Sequence, residues 1–422
     1  MSNNKVPIAQ SAGEMDLTFG TSGLCTLRFT SEGRTIGEGA ATTPSGQIIV
    51  SATIIDAEGK SSYGLARLDA EGHPDLNFGT AGFLTGQFND DAASQGGQVF
   101  VDKHERIWMC GVKSGITTEY QQVIARFNSD GSPDVEFGGP QPGYREVPMR
   151  ITSLLGATGG SLILAKSDPQ LAEPDRLLFM TSRNGNGLLA RFHLDGKDDN
   201  TFDGKGWKHL EVFKLGITLR GVTQLNDGLI LVNGGLEGLS QGLVMAFDQS
   251  GAVAEFGEGG VLRLLIEKDG APLKSTVNHI IVQSAERLLL IGSAIDAGGV
   301  QHAFISGILK IGQFDPDFNA GVPVITAATE ALDLRSWQAG FALDDNDGKR
   351  IVTVGQTSAG ERRLLTGGFV VDGALDPAFD VEGTARIEWT AQSACLQNSC
   401  VLVLGHKDGA AYVVRLLTAA VG

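Results

Sequence analysis

The sequence lacks long hydrophobic runs, basic clusters and an apolar leader. No stretch approaches the roughly 18 continuous apolar residues of a membrane-spanning helix, so we predict no membrane insertion. The 33 basic residues are outnumbered by 49 acidic ones, giving a net charge of −16, and this balance argues against nucleic acid as a partner. Residues 1–10 contain one lysine and no apolar segment of a secretory signal. We predict cytoplasmic residence by default, while export without a classical signal stays open.

Cysteine and proline are also scarce. Four cysteines in 422 residues are too few for a disulfide framework, and no nearby cysteine or histidine pair completes a zinc site. Cys395 and Cys400 flank a segment typical of a hairpin turn, so a local disulfide is conceivable, although we favour two buried thiols. Proline is low at 13 residues, whereas the 58 glycines are nearly twice the usual share of about 7%, which indicates many tight turns.

One short motif, which we call the kernel turn, recurs along the chain. Its pattern Gly-x-x-Asp-x-x-Phe occurs at Gly13/Asp16/Phe19, Gly72/Asp75/Phe78, Gly131/Asp134/Phe137, Gly196/Asp199/Phe202, Gly312/Asp315/Phe318 and Gly373/Asp376/Phe379. A seventh copy, with Gly251 and Phe256, lacks the aspartate and one residue. Successive phenylalanines lie 54 to 65 residues apart, so the chain contains seven tandem repeats. Glycine and aspartate at these positions are typical of turns between strands.

Each repeat also contains an apolar run bounded by turn residues. The seven runs are 47–50, 106–109, 161–164, 229–232, 288–291, 350–354 and 401–404. Runs of this length indicate strands buried on both faces, and no segment has the periodicity of a long amphipathic helix. With about four strands per repeat, the sequence predicts an all-β fold, a seven-bladed β-propeller with four-stranded blades.

The two ends of the chain each carry part of one repeat. The chain begins with a kernel turn and one strand, 23–29, and ends with 411–417, the strand that precedes the kernel turn elsewhere. We therefore predict that the N-terminal strand pairs with the C-terminal strand and closes the ring. Residues 1–422 then form a single propeller domain, in which 1–12 are flexible and 13–29 complete the last blade.

The second, third and fourth kernel turns carry a resemblance to a known family. The segments Ala66-Arg67-Leu68 to Gly82, Ala125-Arg126-Phe127 to Gly138 and Ala190-Arg191-Phe192 resemble units of the delta-sixty repeat family of bacterial proteins. The Ala-Arg pair is lost at Met245-Ala246-Phe247, Gly307-Ile308 and Gly368-Phe369. The resemblance implies a propeller-like fold and no single activity.

No catalytic or cofactor motif accompanies the repeats. Asp130, Asp134 and Asp199 belong to acidic turns that resemble calcium loops, but no glutamate stands at the twelfth position. An aspartate that recurs in six of seven repeats is better interpreted as a turn residue, so we predict no metal and no cofactor, with calcium in these loops as the less favoured alternative. The histidines are scattered singly, without the spacing of a metal motif.

Candidate binding residues lie in the segments predicted to line the axial channel, just before the apolar strands. They are Arg220, Asn278, Arg335, Trp337, Glu388 and Trp389. Arginine and tryptophan are typical of interface hot spots, although burial between blades is the commoner fate of a tryptophan in a propeller.

Three functional hypotheses follow from a scaffold without a reactive motif. The first is a monomeric, non-enzymatic scaffold that presents loops on one face to a protein or glycan partner. The second is a hydrolase or lyase with a metal or carboxylate site in the channel. The third is a glycan-binding lectin with one site per blade, which the four tryptophans disfavour because they share no repeat position.

Overall fold

Apolar and β-branched runs form the central strands of seven antiparallel sheets around a common axis. The computed structural model describes residues 10–89, 93–114, 120–138, 142–151, 160–166, 175–326, 334–345, 348–357, 364–370, 372–374, 376, 379 and 390–419. The predicted seven-bladed propeller, closed by the two ends of the chain, is confirmed. Among the described residues, no helix is long and apolar enough to cross a membrane.

The strands follow one another blade by blade. The chain begins with β1 (Leu24–Leu27). Blade one contains β2 (Arg34–Thr42), β3 (Ile48–Ile55), β4 (Ser61–Leu68) and β5 (Phe83–Gly86). Blade two contains β6 (Ser94–Gln95), β7 (Val99–Val101), β8 (Ile107–Ser114), β9 (Tyr120–Phe127) and β10 (Tyr144–Ile151). Blade three contains β11 (Ser161–Ala165), β12 (Arg176–Arg183), β13 (Asn186–His193) and β14 (Trp207–Leu210).

The remaining blades follow in the same order. Blade four contains β15 (Ile217–Gln224), β16 (Ile230–Leu236), β17 (Gln241–Phe247) and β18 (Val261–Leu264). Blade five contains β19 (Ile266–Lys268), β20 (Ala271–Val282), β21 (Arg287–Ile295), β22 (Gln301–Leu309), a 3-10 turn at Asn319–Gly321 and β23 (Val324–Ile325). Blade six contains β24 (Leu334–Asp345), β25 (Gly348–Thr357) and β26 (Leu364–Phe369). Blade seven contains β27 (Thr390–Gln397), β28 (Cys400–Lys407) and β29 (Ala410–Leu416), together with β1.

One apolar run differs from the others in its place in the sheet. Six of the seven runs lie in inner strands of their blades, whereas Ser161–Ala165 is an edge strand of blade three and pairs with Arg176–Arg183. Leu162 and Leu164 pair with Phe179 and Leu177, so an apolar run of this length fits either position. In blade two the first strand is divided into β6 and β7, which both pair with β8, and in blade five the short strand β19 pairs with the start of β20. Blade six shows three strands among its described residues, and 380–389 lie outside them.

The N-terminal segment completes blade seven. Strand β1 pairs antiparallel with β29, with Leu24 opposite Val414 and Leu27 opposite Ala411. Ala12 is buried and forms a β-bridge with Phe379, so ordered contacts begin before residue 13, earlier than predicted. Strand β1 therefore covers the edge of β29, whose backbone groups would otherwise be unpaired.

The cysteines form no disulfide. All four are free thiols, and Cys25 and Cys110 are buried. In the β27–β28 hairpin, Cys395 lies opposite Leu402 while Cys400 lies opposite Gln397. The two thiols are half-buried rather than fully buried, and they do not face each other across the hairpin.

Six of the seven kernel phenylalanines pack against the kernel glycine of the next blade. A Cβ atom on Gly72 would lie 2.6 Å from Cζ of Phe19, and the backbone φ of Gly72 is +88°, so no other residue fits there without strain. The same contact joins Gly131, Gly196, Gly251, Gly312 and Gly373 to the phenylalanine of the preceding blade. All seven kernel phenylalanines are buried. The kernel turn therefore connects blades as well as strands.

Each kernel aspartate forms an ion pair with an arginine, and in five of the six pairs an arginine also donates to a backbone carbonyl of the next blade. Nε of Arg67 lies 2.8 Å from Oδ2 of Asp75, and Nη1 of the same arginine donates to the carbonyl of Ser129 in blade two at 2.6 Å. Arg415 likewise pairs with Asp16 and donates to the carbonyl of Ala70 at 2.8 Å. The recurring aspartate therefore has both a turn role and an interblade role.

Two blades that lost the Ala-Arg pair take the arginine of the ion pair from another strand. In blades five and six the arginine position is Gly307 or Gly368, where a Cβ would lie 2.4 Å from Cβ of the kernel phenylalanine. The guanidinium comes from the preceding strand instead. Arg287 of β21 pairs with Asp315 in blade five, and Arg350 of β25 pairs with Asp376 in blade six.

Blade four has neither member of the pair. The amide of Ala254 donates to the carbonyl of Ala246, the bond that Asp75 and Arg67 make in blade one. Both charged positions are therefore alanine, so no buried charge is left without a partner at this turn.

We predict that deleting residues 2–30 lowers the melting temperature by several degrees or prevents folding. The deletion removes β1 and the buried Phe19, leaves the Arg415 guanidinium without Asp16, and exposes the edge of β29. Thermal unfolding followed by circular dichroism measures the effect, with Leu17→Ala at a half-exposed side chain as the control. An unchanged melting temperature of the truncated protein would contradict closure by β1.

Asp199→Asn is predicted to destabilise the protein by about 3 kcal/mol. The Asp199 carboxylate is fully buried between Arg176 and Arg191, at 2.8 and 2.9 Å, and asparagine leaves both guanidinium groups without a counter-charge. Burial alone would raise the pKa of Asp199, but the bond from Thr201 and the arginine charges outweigh it and lower this pKa to about 2.

This ion-pair contribution also has a defined pH window. Because the folded-state pKa is depressed, the stabilisation is fully present above the unfolded pKa of about 4 and is lost as pH falls from about 4 toward 2. Urea unfolding at pH 7 and pH 2.5 compares wild type with Asp199→Asn, and Asp195→Asn in the exposed part of the same turn is the control. Equal effects of the two variants at pH 7, or a pH-independent difference, would contradict this role.

Candidate functional site: the axial cavity

The first strand of most blades contains a β-bulge at an equivalent position. The pairing register slips by one residue between Gly37 and Gly39, and it slips likewise in β15, β20, β24 and β27. The inserted residues are Glu38, Arg220, Asn278, Gln338 and Gln392. A bulge leaves its extra residue unpaired and re-aims the side chain.

Blades two and three have glycine at this position. Residues 96–98 oppose only two residues of β8, and Gly97 precedes Gln98, whose carbonyl accepts from the amide of Cys110. In blade three, Gly160 directly precedes Ser161, which pairs with Met180. We call the seven positions the bulge ring: Glu38, Gly97, Gly160, Arg220, Asn278, Gln338 and Gln392.

The bulge ring lines a cavity on the propeller axis. The cavity has a volume of about 860 Å³, and all seven ring residues and all seven blades contribute to its wall. Gln98, Ser161, His279, Ala339 and Ser393, each one residue beyond the ring, line it as well. This volume lies within the range of small-molecule sites.

Glu38 is the acidic member of the ring. Its Oε1 accepts a hydrogen bond from Oγ1 of Thr53 at 2.9 Å. Burial raises the pKa of Glu38 to about 7, and the Thr53 bond opposes this rise only in part. Glu38 is therefore partly protonated at neutral pH, so it can both donate and accept hydrogen bonds.

Arg220 is the basic member of the ring. It is exposed to the cavity, and no described residue forms an ion pair or a side-chain hydrogen bond with it. The surrounding protein lowers the pKa of the guanidinium by desolvation, yet arginine keeps its charge at any physiological pH. Arg220 thus presents a cation without a counter-ion to the cavity.

The amide side chains of the cavity wall are held by the neighbouring blade. Oε1 of Gln98 accepts from the amide of Leu162 at 2.8 Å. Nδ2 of Asn278 donates to Oγ of Ser336 at 2.9 Å and to the carbonyl of Trp337 at 2.8 Å. These bonds orient the amides, and the other end of each amide has no hydrogen-bond partner among the described residues.

His279 adds a neutral imidazole to the wall. Desolvation lowers the pKa of His279 to about 4, and a hydrogen bond with the Gly340 backbone opposes the effect only in part. At neutral pH this imidazole carries no charge, so Arg220 is the one charged base among the described residues of the wall.

The sequence prediction located this cavity only in part. Arg220 and Asn278 line it, as predicted, whereas Arg335 does not belong to its wall and donates to the carbonyl of Gln301. Trp337 was also predicted to line the channel, but it does not belong to the cavity wall. Its ring is fully buried against Phe369, because it follows the pleat into the space between blades. Glu388 and Trp389 lie outside the described residues.

Sequence reasoning missed the other polar residues of the wall, among them Glu38, Gln98, Gln338 and Gln392. A flanking glycine, as in Gly37-Glu38-Gly39 and Arg220-Gly221, is the only local signal of a bulge here. Because Gln338 and Gln392 lack such a glycine neighbour, no local pattern separates them from ordinary strand residues.

The acidic turns that resemble calcium loops have their carboxylates engaged by protein groups. Asp134 pairs with Arg126 at 2.7 Å, and Asp130 accepts from the amide and hydroxyl of Ser132. In the part of the chain that the structure describes, no group of three or more histidine, cysteine, aspartate or glutamate side chains is placed to hold a metal ion.

Comparison with known proteins supports the fold. A family model described as a domain of unknown function (DUF5122) beta-propeller matches residues 43–78 and 115–137, and the finer resemblance to delta-sixty repeats stays a prediction. No curated protein matches the sequence.

Solved structures of similar shape span nearly the whole chain. An ulvan lyase of a new polysaccharide lyase family, bound to -[GlcA(1-4)Rha3S]-, has a TM-score of 0.51 at 10% identity and covers 94% of this chain and 98% of its own. The β-propeller domain of the Trilobed protease from Pyrococcus furiosus has a TM-score of 0.46 at 8% identity, with coverages of 93% and 96%. At such identities the likeness concerns the fold alone.

We predict that Glu38→Gln stabilises the protein at pH 8 and not at pH 4.5. The folded-state pKa of about 7 lies above the ordinary value of 4.5, so wild-type stability falls as pH rises between these values, by at most about 3 kcal/mol. Urea unfolding at both pH values measures the difference. Glu32→Gln, at an exposed glutamate of the same blade, is the control. A variant no more stable than wild type at pH 8 would contradict the buried acid.

Proposed function

We propose that this protein is a non-enzymatic binding module whose ligand site is the axial cavity rather than the loops of one face. The observation that carries the proposal is the convergence of oriented polar side chains from different blades on one open cavity of about 860 Å³. Such a cavity suits a small polar ligand, since a few placed polar groups provide specificity in most ligand sites.

The chemistry of the wall favours binding over catalysis. Amides predominate among its polar side chains: Gln98, Gln224, Asn233, Asn278, Gln338 and Gln392. Amide groups donate and accept hydrogen bonds without exchanging protons at neutral pH. The donors and acceptors of these amides match a polyhydroxylated molecule such as a sugar. This match supports the glycan partner of the first functional hypothesis.

A plug in the cavity tests the site. Gln392→Trp adds an indole at an exposed position of the bulge ring, whereas Leu76→Trp adds the same indole at a side chain that is 74% exposed on an outer turn. In saturation-transfer NMR with a panel of methyl glycosides, we expect binding to wild type and to Leu76→Trp, and loss of binding to Gln392→Trp. Equal binding to both variants would overturn the axial site.

A second candidate function, hydrolysis of a glycosidic bond, is supported by Glu38. A carboxyl group with a pKa of about 7 is poised for general acid or base catalysis. The same NMR samples separate the candidates over a day of incubation at pH 7. Steady ligand signals favour the binding module, whereas new sugar signals that Glu38→Gln abolishes favour the enzyme.

A further inference from the structure

The charged residues of the cavity wall are separated by glycines. Around the axis, Glu38 of blade one and Arg220 of blade four stand on either side of Gly97 and Gly160. Because glycine contributes no side chain, this sector of the wall consists of backbone together with Gln98, Ser161 and Ile163. Glu38 and Arg220 form no ion pair with each other, so space is left between the two charges.

Arg220 differs from the arginines of the kernel turns. Each of those arginines has a carboxylate partner: Arg67, Arg126, Arg176, Arg191, Arg287, Arg350 and Arg415. Arg220 has none among the described residues, although the chain carries 49 acidic side chains. A guanidinium that faces the cavity without a counter-ion can bind an anion that arrives from solution.

We propose that the axial cavity binds an acidic sugar, with its carboxylate on Arg220 and its hydroxyl groups on Gln98, Glu38 and the ring amides. The proposal rests on the proposed function and names the ligand class of that site. A guanidinium binds a carboxylate through two parallel hydrogen bonds. Neighbouring hydroxyl groups of the sugar can then donate hydrogen bonds to, and accept them from, the amide side chains of the cavity wall.

The charge balance favours one negative charge on the ligand. Arg220 is the one charged base in the described wall, and Glu38 repels a second anionic group whenever it is ionised. The net charge of −16 acts weakly here, since charges beyond about 8 Å are largely screened at physiological ionic strength. A monocarboxylate sugar fits this balance better than a dianionic phosphate or sulfate.

Calorimetric titration with matched probes tests the ligand class. Methyl β-D-glucuronide and methyl β-D-glucoside differ only in carboxylate against hydroxymethyl, and sodium sulfate supplies an anion without hydroxyls. We expect the glucuronide to bind wild type at least tenfold more tightly than the glucoside or sulfate, because one charge-assisted hydrogen-bonded pair supplies about that factor.

Variants assign the preference to Arg220. We expect Arg220→Gln to lower glucuronide affinity at least tenfold and leave glucoside affinity within about twofold. Arg263→Gln removes an exposed arginine from the outer strand of the same blade and should keep the preference. If Arg220→Gln does not fold, as judged by circular dichroism, Arg220→Lys is used, for which we expect a several-fold loss because the paired hydrogen bonds are lost.

The outcomes separate this inference from the proposed function. Equal affinities for both glycosides, with binding lost in Gln392→Trp, would overturn the acidic-sugar inference and leave the axial binding module standing. Sulfate binding as tight as glucuronide binding would overturn the sugar assignment. If no glycoside binds at about 10 mM, near the weakest affinity that calorimetry resolves, both the acidic-sugar inference and the proposed function would be overturned.

Discussion

The contact between a kernel phenylalanine and the kernel glycine of the next blade, made at six junctions, holds successive blades together. A four-stranded sheet has two apolar faces, and each must be covered by a neighbouring blade. The ring of Phe19 covers Gly72 so closely that no side chain fits between them. The same turn supplies the ion pair of Arg415 and Asp16, which bonds to the carbonyl of Ala70. One short motif therefore fixes both the strand ends and the angle to the next blade.

The repeated turns explain why drift in the sequence does not break the ring. Where Gly307 replaces the arginine, Arg287 on the neighbouring strand supplies a guanidinium to the same aspartate. Where Ala254 replaces the aspartate, its partner position holds Ala246. A buried charge without its partner is costly, whereas a missing pair is nearly neutral. Each blade thus keeps a complete pair or none.

The same electrostatic rule makes Arg220 unusual. The kernel arginines satisfy carboxylates inside the protein, but Arg220 belongs to a bulge that turns its side chain away from the sheet and into the axial cavity. Glu38 occupies the same position three blades away, where burial raises its pKa to about 7. Structural charges are paired at the turns, whereas Arg220 and Glu38 face the axial cavity.

Sequence reasoning determined the all-β fold, the seven repeats and the closure by β1, because turn chemistry and strand periodicity are local and each is written seven times. It also identified Arg220 and Asn278, which lie on segments adjoining the apolar strands. The run at 161–164 forms a strand, as predicted, but it is an edge strand, unlike the other six runs, and its sequence does not distinguish an edge strand from an inner one.

Only the tertiary structure decided the composition of the site. A β-bulge depends on how two strands pair, so nothing local distinguishes Gln338, which lines the cavity, from Trp337, which is buried beside it. The cavity wall also draws single residues from seven separate segments, and their common position appears only when the ring is closed. The sequence determined the scaffold because each blade repeats it, whereas the site arises from the positions at which the blades differ.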